Sequence, residues 1–367
     1  MTDTEMTNSP TFLVTGGSGY LGTRVIADLL QTGARVRTTV RSLDSEPALR
    51  EAVRRGMSGS VGAGTGLGGG TGLSGGGRLS ASGGPDGSDD AGLELVVASL
   101  TDDAGWDAAA SGVDGVYHLA SPMTHATEDR EVVVTPARDG AVRVLRAAIR
   151  AGVPRVVMTS SFAAVGYSPK PLNTDGAREY DESDWTDPDT EGLPAYPLSK
   201  AVAERAAWDV IQGQSQGQGS TELVVLNPTW IAGPTLTSDA RSSLQAFSAM
   251  LGGHMPLAPR QRFGIADVRD VASAHLAAMA APDTAGKRYL LLADGPTISW
   301  LGVAELLRSH FGDLAAKTPT EEVPGDELPP LIIHNERAKA ELGFAPRPAE
   351  TTIVDTVESM IERGMLG

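Results

Sequence analysis

A short apolar run, residues 12–15, leads directly into Gly16-Gly17-Ser18-Gly19-Tyr20-Leu21-Gly22, and Val25, Ile26, Leu29 and Leu30 follow at helical spacing. Strand, glycine turn and helix in that order constrain the fold more than any other feature of the chain. Glycines 16, 19 and 22 have separate uses. Gly16 permits the tight turn, Gly19 lets the backbone approach a pyrophosphate, and Gly22 lets the helix pack closely on the sheet. The helix then presents its first N–H groups, those of Tyr20, Leu21 and Gly22, and the positive end of its dipole to the phosphates. The same glycines also serve a strand-to-helix turn with no ligand, but the flanking strand and helix make this a dinucleotide site.

Gly33 closes the helix, and residues 36–40 supply a second, β-branched strand, completing one βαβ unit. Further strands are predicted at 93–97, 113–118, 155–159 and 222–226, with helices at 132–151 and 196–211. Strands alternating with helices imply an α/β fold: a Rossmann-type doubly wound parallel sheet with a smaller C-terminal substrate-binding lobe. We expect a disordered tail at 1–10, the cofactor-binding domain at 11–227, and mainly the lobe at 228–367, with helices at 268–281, 299–311 and 352–363. Residues 56–92 contain 16 glycines in 37 positions and almost no large apolar side chain, so they are expected to form a flexible insertion.

Composition excludes several functions. A formal net charge of -16 repels nucleic-acid phosphates, so a small-molecule partner is expected and nucleic acid is not. No apolar run approaches the roughly 18 residues of a membrane helix, and the first ten residues do not read as a secretory signal. The absence of cysteine removes thiolate metal sites and fits the expected cytoplasmic location. Six histidines show no metal-ligand spacing, so no metal is expected. Monomer and homodimer are both compatible with the sequence.

The end of the second strand faces the adenosine ribose, where a carboxylate binds a 2′-hydroxyl and an arginine accommodates a 2′-phosphate. Here it reads Thr38-Thr39-Val40-Arg41-Ser42, which favours NADP over NAD. Downstream, Tyr196 and Lys200 lie four apart in a helical segment, one turn apart on one face. Only five of the 30 basic residues are lysines, so the pairing is conspicuous. A phenol exchanges protons poorly at neutral pH unless a cation stabilises its phenolate, and an adjacent ammonium is such a cation. At an effective dielectric of about 20, opposite charges about 4 Å apart gain about 4 kcal/mol. Tyr196 is therefore assigned as proton donor to a carbonyl oxygen receiving a hydride, with Lys200 beside it. Ser161, at the end of the strand 155–159, would hold the substrate oxygen.

Together these segments resemble the extended short-chain dehydrogenase/reductases, in the branch of dihydroflavonol 4-reductases and fungal-type methylglyoxal and aldehyde reductases. The resemblance rests on TGGSGYLG at Thr15, TVRS at Thr39, VYHLASPM at Val116, TSSFAAV at Thr159, YPLSKAVAERAAW at Tyr196, NPTWIAGP at Asn227 and ADVRDVASAHL at Ala266. It covers nearly the whole chain apart from the tail and the glycine-rich stretch. It implies Ser161, Tyr196 and Lys200 as the catalytic group, with Lys200 also on the nicotinamide ribose. Cofactor contacts are implied from Arg41, from His118, Ala120 and Ser121, and from Pro228. Substrate contacts are implied near Met123, Phe162, Leu193 and Trp230, an apolar set suited to an aldehyde or ketone with a hydrophobic substituent. Where the family commonly has an aspartate at the end of the third strand, this chain reads Ala98-Ser99-Leu100, leaving Ser99 to hydrogen-bond the adenine.

Nucleotide-sugar epimerases and dehydratases share the fold, the glycine turn and the Tyr–Lys pair. Dehydratases typically carry Asp and Glu after the TSS strand, whereas this chain has Phe162-Ala163-Ala164-Val165, and epimerases retain NAD, which sits poorly with Arg41. A non-catalytic NADP-binding regulator usually loses the tyrosine or the lysine, and both are present. The Asn-Trp-Tyr-Cys-Tyr signature of cinnamoyl-CoA reductases is absent before Lys200. His118 reads as structural, and Asp267 and Asp270 as helix-capping residues.

Overall fold

The structure is a computed structural model that describes residues 9–59, 90–122, 129–214, 220–238 and 243–366. The chain runs through β1 (Thr11–Thr15), α1 (Tyr20–Gln31), β2 (Arg35–Val40), α2 (Glu46–Gly59), β3 (Leu93–Val97), α3 (Trp106–Ala110), β4 (Gly115–His118), α4 (Arg130–Arg150) and β5 (Arg155–Thr159). It continues with β6 (Arg178–Tyr180), α5 (Ala195–Gln212), β7 (Glu222–Pro228), β8 (Trp230–Ala232), α6 (Leu244–Leu251), β9 (Arg262–Phe263), β10 (Ile265–Asp267), α7 (Val268–Ala280) and β11 (Arg288–Leu291). The last elements are β12 (Ile298–Ser299), α8 (Trp300–Phe311), β13 (Leu331–Ile333), α9 (Glu336–Leu342) and α10 (Ala349–Glu362).

Seven parallel strands form one sheet in the order β11-β7-β5-β4-β1-β2-β3. Parallel neighbours need crossover connections, so helices cover both faces and the strands are apolar on both sides. Leu13, Val116, Val156, Met158, Leu223 and Val225 pack with α3, α4 and α5 on one face. Val14, Tyr117, Val157, Val224 and Leu226 alternate with them and pack with α1, α2 and α7 on the other. Strand order reverses between β1 and β4. In such sheets the crevice beyond the carboxyl ends at that reversal is where ligands bind.

The second body of packing joins Ala232 and Ile265 of the paired strands β8 and β10 to Leu244, Phe247, Val303, Leu307, Ile353 and Val357 of α6, α8 and α10. Two elements from the range expected mainly for this lobe return to the sheet instead. β11 pairs with the outer edge of β7, which would otherwise expose unpaired backbone groups, and α7 packs against α1. Among the described residues no helix is long and apolar enough to cross a membrane.

The glycine-rich stretch is structured at both of its expected ends. α2 continues to Gly59, and Gly56 fits where a Cβ would lie 2.7 Å from the Ala27 methyl and 2.8 Å from a Leu236 methyl. Asp90 is buried and pairs with Arg50 (3.3 Å) and Arg54 (3.2 Å), anchoring the entry to β3. Residues 60–89, like 1–8 of the expected tail, lie outside the described residues.

Candidate active site

The glycine turn closes β1 against β4 and α1. Gly16 has φ +73°, and a Cβ there would stand 2.9 Å from the Ala120 Cα. A Cβ on Gly22 would be 2.2 Å from the Gly16 carbonyl oxygen, so α1 can approach the turn only without a side chain there. Gly17, which the sequence reading did not single out, is the most tightly packed: its Cβ would meet Thr38 Oγ1 at 2.0 Å. Gly19 differs. Its φ of -81° suits any residue, and an added Cβ would meet only the Gly16 oxygen, at 3.2 Å. The backbone does not demand glycine at 19, a Cβ would crowd the Gly16 carbonyl oxygen alone, and the space it would take is the room a pyrophosphate needs.

The N-cap at Gly19 provides no side-chain hydrogen bond, and the first turn of α1 holds no acidic residue. The N–H groups of Tyr20, Leu21 and Gly22 are therefore left for an anion. The side chains of the first two are occupied elsewhere: the Tyr20 hydroxyl donates to Gly233 O (2.5 Å), and Leu21 belongs to the core. Just beyond β2, Arg41 is exposed and makes no hydrogen bond or ion pair among the described residues. It lines a cavity of about 970 Å³ with Ser18, Ser42, Asp44 and Ser45. Asp44 is engaged by the Ser42 hydroxyl at 2.7 Å. Ser99 shares a hydroxyl contact with Thr101 (3.0 Å), and the Leu100 carbonyl accepts from Arg143.

Lys200 is buried on α5, while Tyr196, one turn earlier, is 41% exposed. Lys200 Nζ donates to Ser121 Oγ at 3.2 Å and lies 5.8 Å from the centre of the Tyr196 ring. Ser161 follows β5; its Oγ accepts from Ala163 N (3.1 Å), leaving its own O–H to donate. His118 is buried and bonded to Thr15 Oγ1 (2.9 Å), which also accepts from Ala120 N (3.1 Å). Burial, and then the Lys200 charge, lower its pKa to about 3, so it is neutral at physiological pH and ties β4 to β1. Pro228 is buried at the end of β7.

Glu204 was not anticipated. Fully buried one turn beyond Lys200, it accepts from Ser160 Oγ (2.5 Å), Asn227 Nδ2 (2.8 Å), Arg288 Nε (2.6 Å) and Trp208 Nε1 (3.4 Å). Asn227 Nδ2 also donates to the Ser161 carbonyl at 3.2 Å. One carboxylate thus joins α5 to the ends of β5 and β7 and to β11. The signal was its spacing, since Tyr196, Lys200 and Glu204 recur every four residues on one helix face.

Of the expected substrate residues, Met123 lies outside the described residues. Leu193 is buried and its carbonyl accepts from Arg130. Phe162 is also buried, edge-on to Tyr180 (5.6 Å). Trp230 is half-buried, stacked on Phe247 (4.9 Å) and packed against Phe263 (5.0 Å) and Trp300 (4.8 Å). Asp267 caps α7 by accepting from Arg269 N (2.8 Å), whereas Asp270 accepts from Arg347 N (2.7 Å) instead of capping.

The buried histidines predict acid sensitivity. His275 donates from Nδ1 to Val271 O (2.7 Å) and accepts from Thr159 Oγ1 (2.6 Å), and burial lowers its pKa to about 4. The unfolded chain protonates both rings near pH 6.5, while the folded chain resists until about pH 4 and about pH 3. Stability present above pH 6.5 is therefore lost as pH falls, by about 2 kcal/mol per histidine at pH about 5. Urea midpoints at pH about 7.5 and about 5 should differ accordingly, and His275→Gln should narrow the gap.

Residues 12–291 match the NAD dependent epimerase/dehydratase family. The chain is 33% identical to cinnamoyl-CoA reductase 1 of Arabidopsis thaliana over 360 residues, 97% of this chain and 90% of that protein. It is 30% identical over 378 residues to the (2S)-flavan-3-ol-forming anthocyanidin reductase of Vitis vinifera, covering 97% and 96%. Its fold is similar to that of the yeast methylglyoxal/isovaleraldehyde reductase Gre2, solved with NADPH. The TM-score is 0.74 at 23% identity, over 96% of this chain and 98% of that one. The chain belongs to the NAD dependent epimerase/dehydratase family, and within it to the extended short-chain dehydrogenase/reductase branch that contains the cinnamoyl-CoA and anthocyanidin reductases.

Proposed function

We propose that the protein is an NADP(H)-dependent reductase of an aldehyde or ketone, with Tyr196 as the proton donor. The observation that carries this reading is a buried lysine, held by Ser121, against the ring of a phenol that is itself open to solvent. When bound, the cofactor supplies the hydride. Tyr196 O–H protonates the carbonyl oxygen as it gains negative charge, and the Lys200 ammonium offsets the phenolate left behind. Ser161 O–H donates to the same oxygen and orients it. The first N–H groups of α1 would hold the pyrophosphate, Arg41 the 2′-phosphate, and the ends of β4 and β7, at His118 to Ser121 and Pro228, the nicotinamide side.

Elimination chemistry has less support, because the segment after Ser161 is the buried, apolar Phe162-Ala163-Ala164-Val165. The decisive experiment follows NADPH and NADH oxidation by the purified protein against aldehydes, diketones, β-keto esters, flavanonols and cinnamoyl-CoA. We expect turnover of a simple aldehyde or ketone with NADPH. We expect none with cinnamoyl-CoA, since the residues before Lys200 lack the signature named above. Tightly held NAD released on denaturation, together with conversion of a nucleotide sugar without added cofactor, overturns the proposal.

Arg41 supplies a separate test. Arg41→Ala is expected to weaken NADPH binding by about 10- to 100-fold, the loss of a charge-assisted hydrogen bond, with little effect on NADH. Fluorescence titration of both cofactors measures this, and equal losses would remove Arg41 from the phosphate site.

A further inference from the structure

Tyr167 stands six residues beyond Ser161, held by its backbone N–H on Thr186 Oγ1 (2.9 Å) and by its ring at 6.3 Å from Phe162. It is 37% exposed. Gln261, just before β9, donates from Nε2 to the Tyr167 phenol oxygen (3.3 Å) and accepts at Oε1 from Trp300 Nε1 (3.4 Å). With both ends of the amide engaged, its donor is fixed toward Tyr167. The phenol oxygen is thereby an acceptor, and its own O–H has no acceptor among the described residues. Partial burial, and then the neighbouring Tyr196 phenol, push the Tyr167 pKa up, so the proton stays on at neutral pH. An oriented, protonated donor therefore stands against the Phe162 ring, one residue beyond Ser161.

We propose that Tyr167 determines substrate specificity by donating a hydrogen bond to a second acceptor oxygen, an ester, ketone or hydroxyl oxygen a few bonds from the reduced carbonyl. The inference rests on the carbonyl-reductase reading. The reacting oxygen already has assigned donors in Tyr196 and Ser161, so once substrate displaces water from the Tyr167 hydroxyl, a second acceptor on the same molecule is what replaces that bond. Trp230, Phe263 and Trp300 cluster beside Gln261 with ring centres 4.7–5.0 Å apart and offer an apolar wall to the rest of the substrate. A site built around such a donor discriminates against molecules that leave it unpaired.

Ethyl benzoylacetate and hexanophenone have the same chain length and differ by an ester in place of methylenes. The ester also changes the intrinsic reactivity of the ketone, but that difference cancels when a variant is compared with the wild type. In Tyr167→Phe the ratio of kcat/KM values, keto ester over ketone, is expected to fall about tenfold, the effect of one neutral hydrogen bond. The loss should lie mainly in KM, since a non-reacting oxygen is bound alike before and during the reaction. Gln261→Leu, which releases the phenol, should move the ratio in the same direction by less. Equal losses for both substrates, or a ratio within twofold of wild type, overturn the inference and leave the reductase reading standing. A wild-type protein that reduces no carbonyl compound overturns both.

Discussion

Replacing Tyr196 by phenylalanine is expected to lower kcat by about 10²- to 10⁴-fold, the range supplied by a positioned general acid. Phenylalanine keeps the ring, and with it the packing near Lys200, but removes the only proton that Tyr196 can deliver. NADPH should still bind within a few-fold of wild type, because the glycine turn, the start of α1 and Arg41 do not depend on the hydroxyl. Stopped-flow turnover and a fluorescence titration on the same preparation separate the two effects. If the variant turns over normally, a different group delivers the proton. If cofactor binding collapses as well, Tyr196 has a binding role larger than its geometry implies.

Glu204→Ala carries the largest expected effect on stability, a loss of about 3–5 kcal/mol, because it leaves a buried partner charge uncompensated. The partner is Arg288, whose side chain is 7% exposed and whose Nη2 already lacks a hydrogen bond. Arg288 also donates to the carbonyls of Glu182 (2.9 Å) and Asp184 (2.7 Å) and lies 3.8 Å from the centre of the Trp185 ring. Removing the carboxylate therefore loosens β11 and the segment around Trp185 together, and it takes the acceptor from Ser160 and Asn227 at the strand ends beside Ser161. Denaturant unfolding should show the loss. Adding Arg288→Met to Glu204→Ala should recover part of it, since the orphaned charge is then gone; strictly additive losses would mean that the two side chains are not coupled.

Both residues lie on α5, yet only one was readable in advance. Tyr196 and Lys200 announce themselves because a phenol and an ammonium one turn apart have a chemical use that needs nothing else to be seen. Glu204 follows the same spacing, but a glutamate on a helix is ordinarily a solvated residue. Its burial depends on Arg288, Asn227 and Ser160 arriving from three other strands. Gly17 was missed for a related reason: its demand for a bare Cα comes from Thr38 on the neighbouring strand and not from its own turn. That β11 and α7, from the range expected mainly for the lobe, return to the sheet was likewise not legible, because local pattern shows that a segment is a strand or a helix and not which edge or face it returns to.

The sequence by itself determined the parallel α/β sheet, the strand-to-helix glycine turn, the branch of the family and the Tyr196–Lys200 pair. Each follows from residue type and spacing over a few turns of chain. Only the tertiary structure decided that His118 and His275 are neutral ties, that Glu204 binds α5 to three strands, and that Tyr167 meets Gln261. Those assignments depend on desolvation and on hydrogen bonds between residues from 23 to 116 positions apart, and neither quantity exists until the chain has folded.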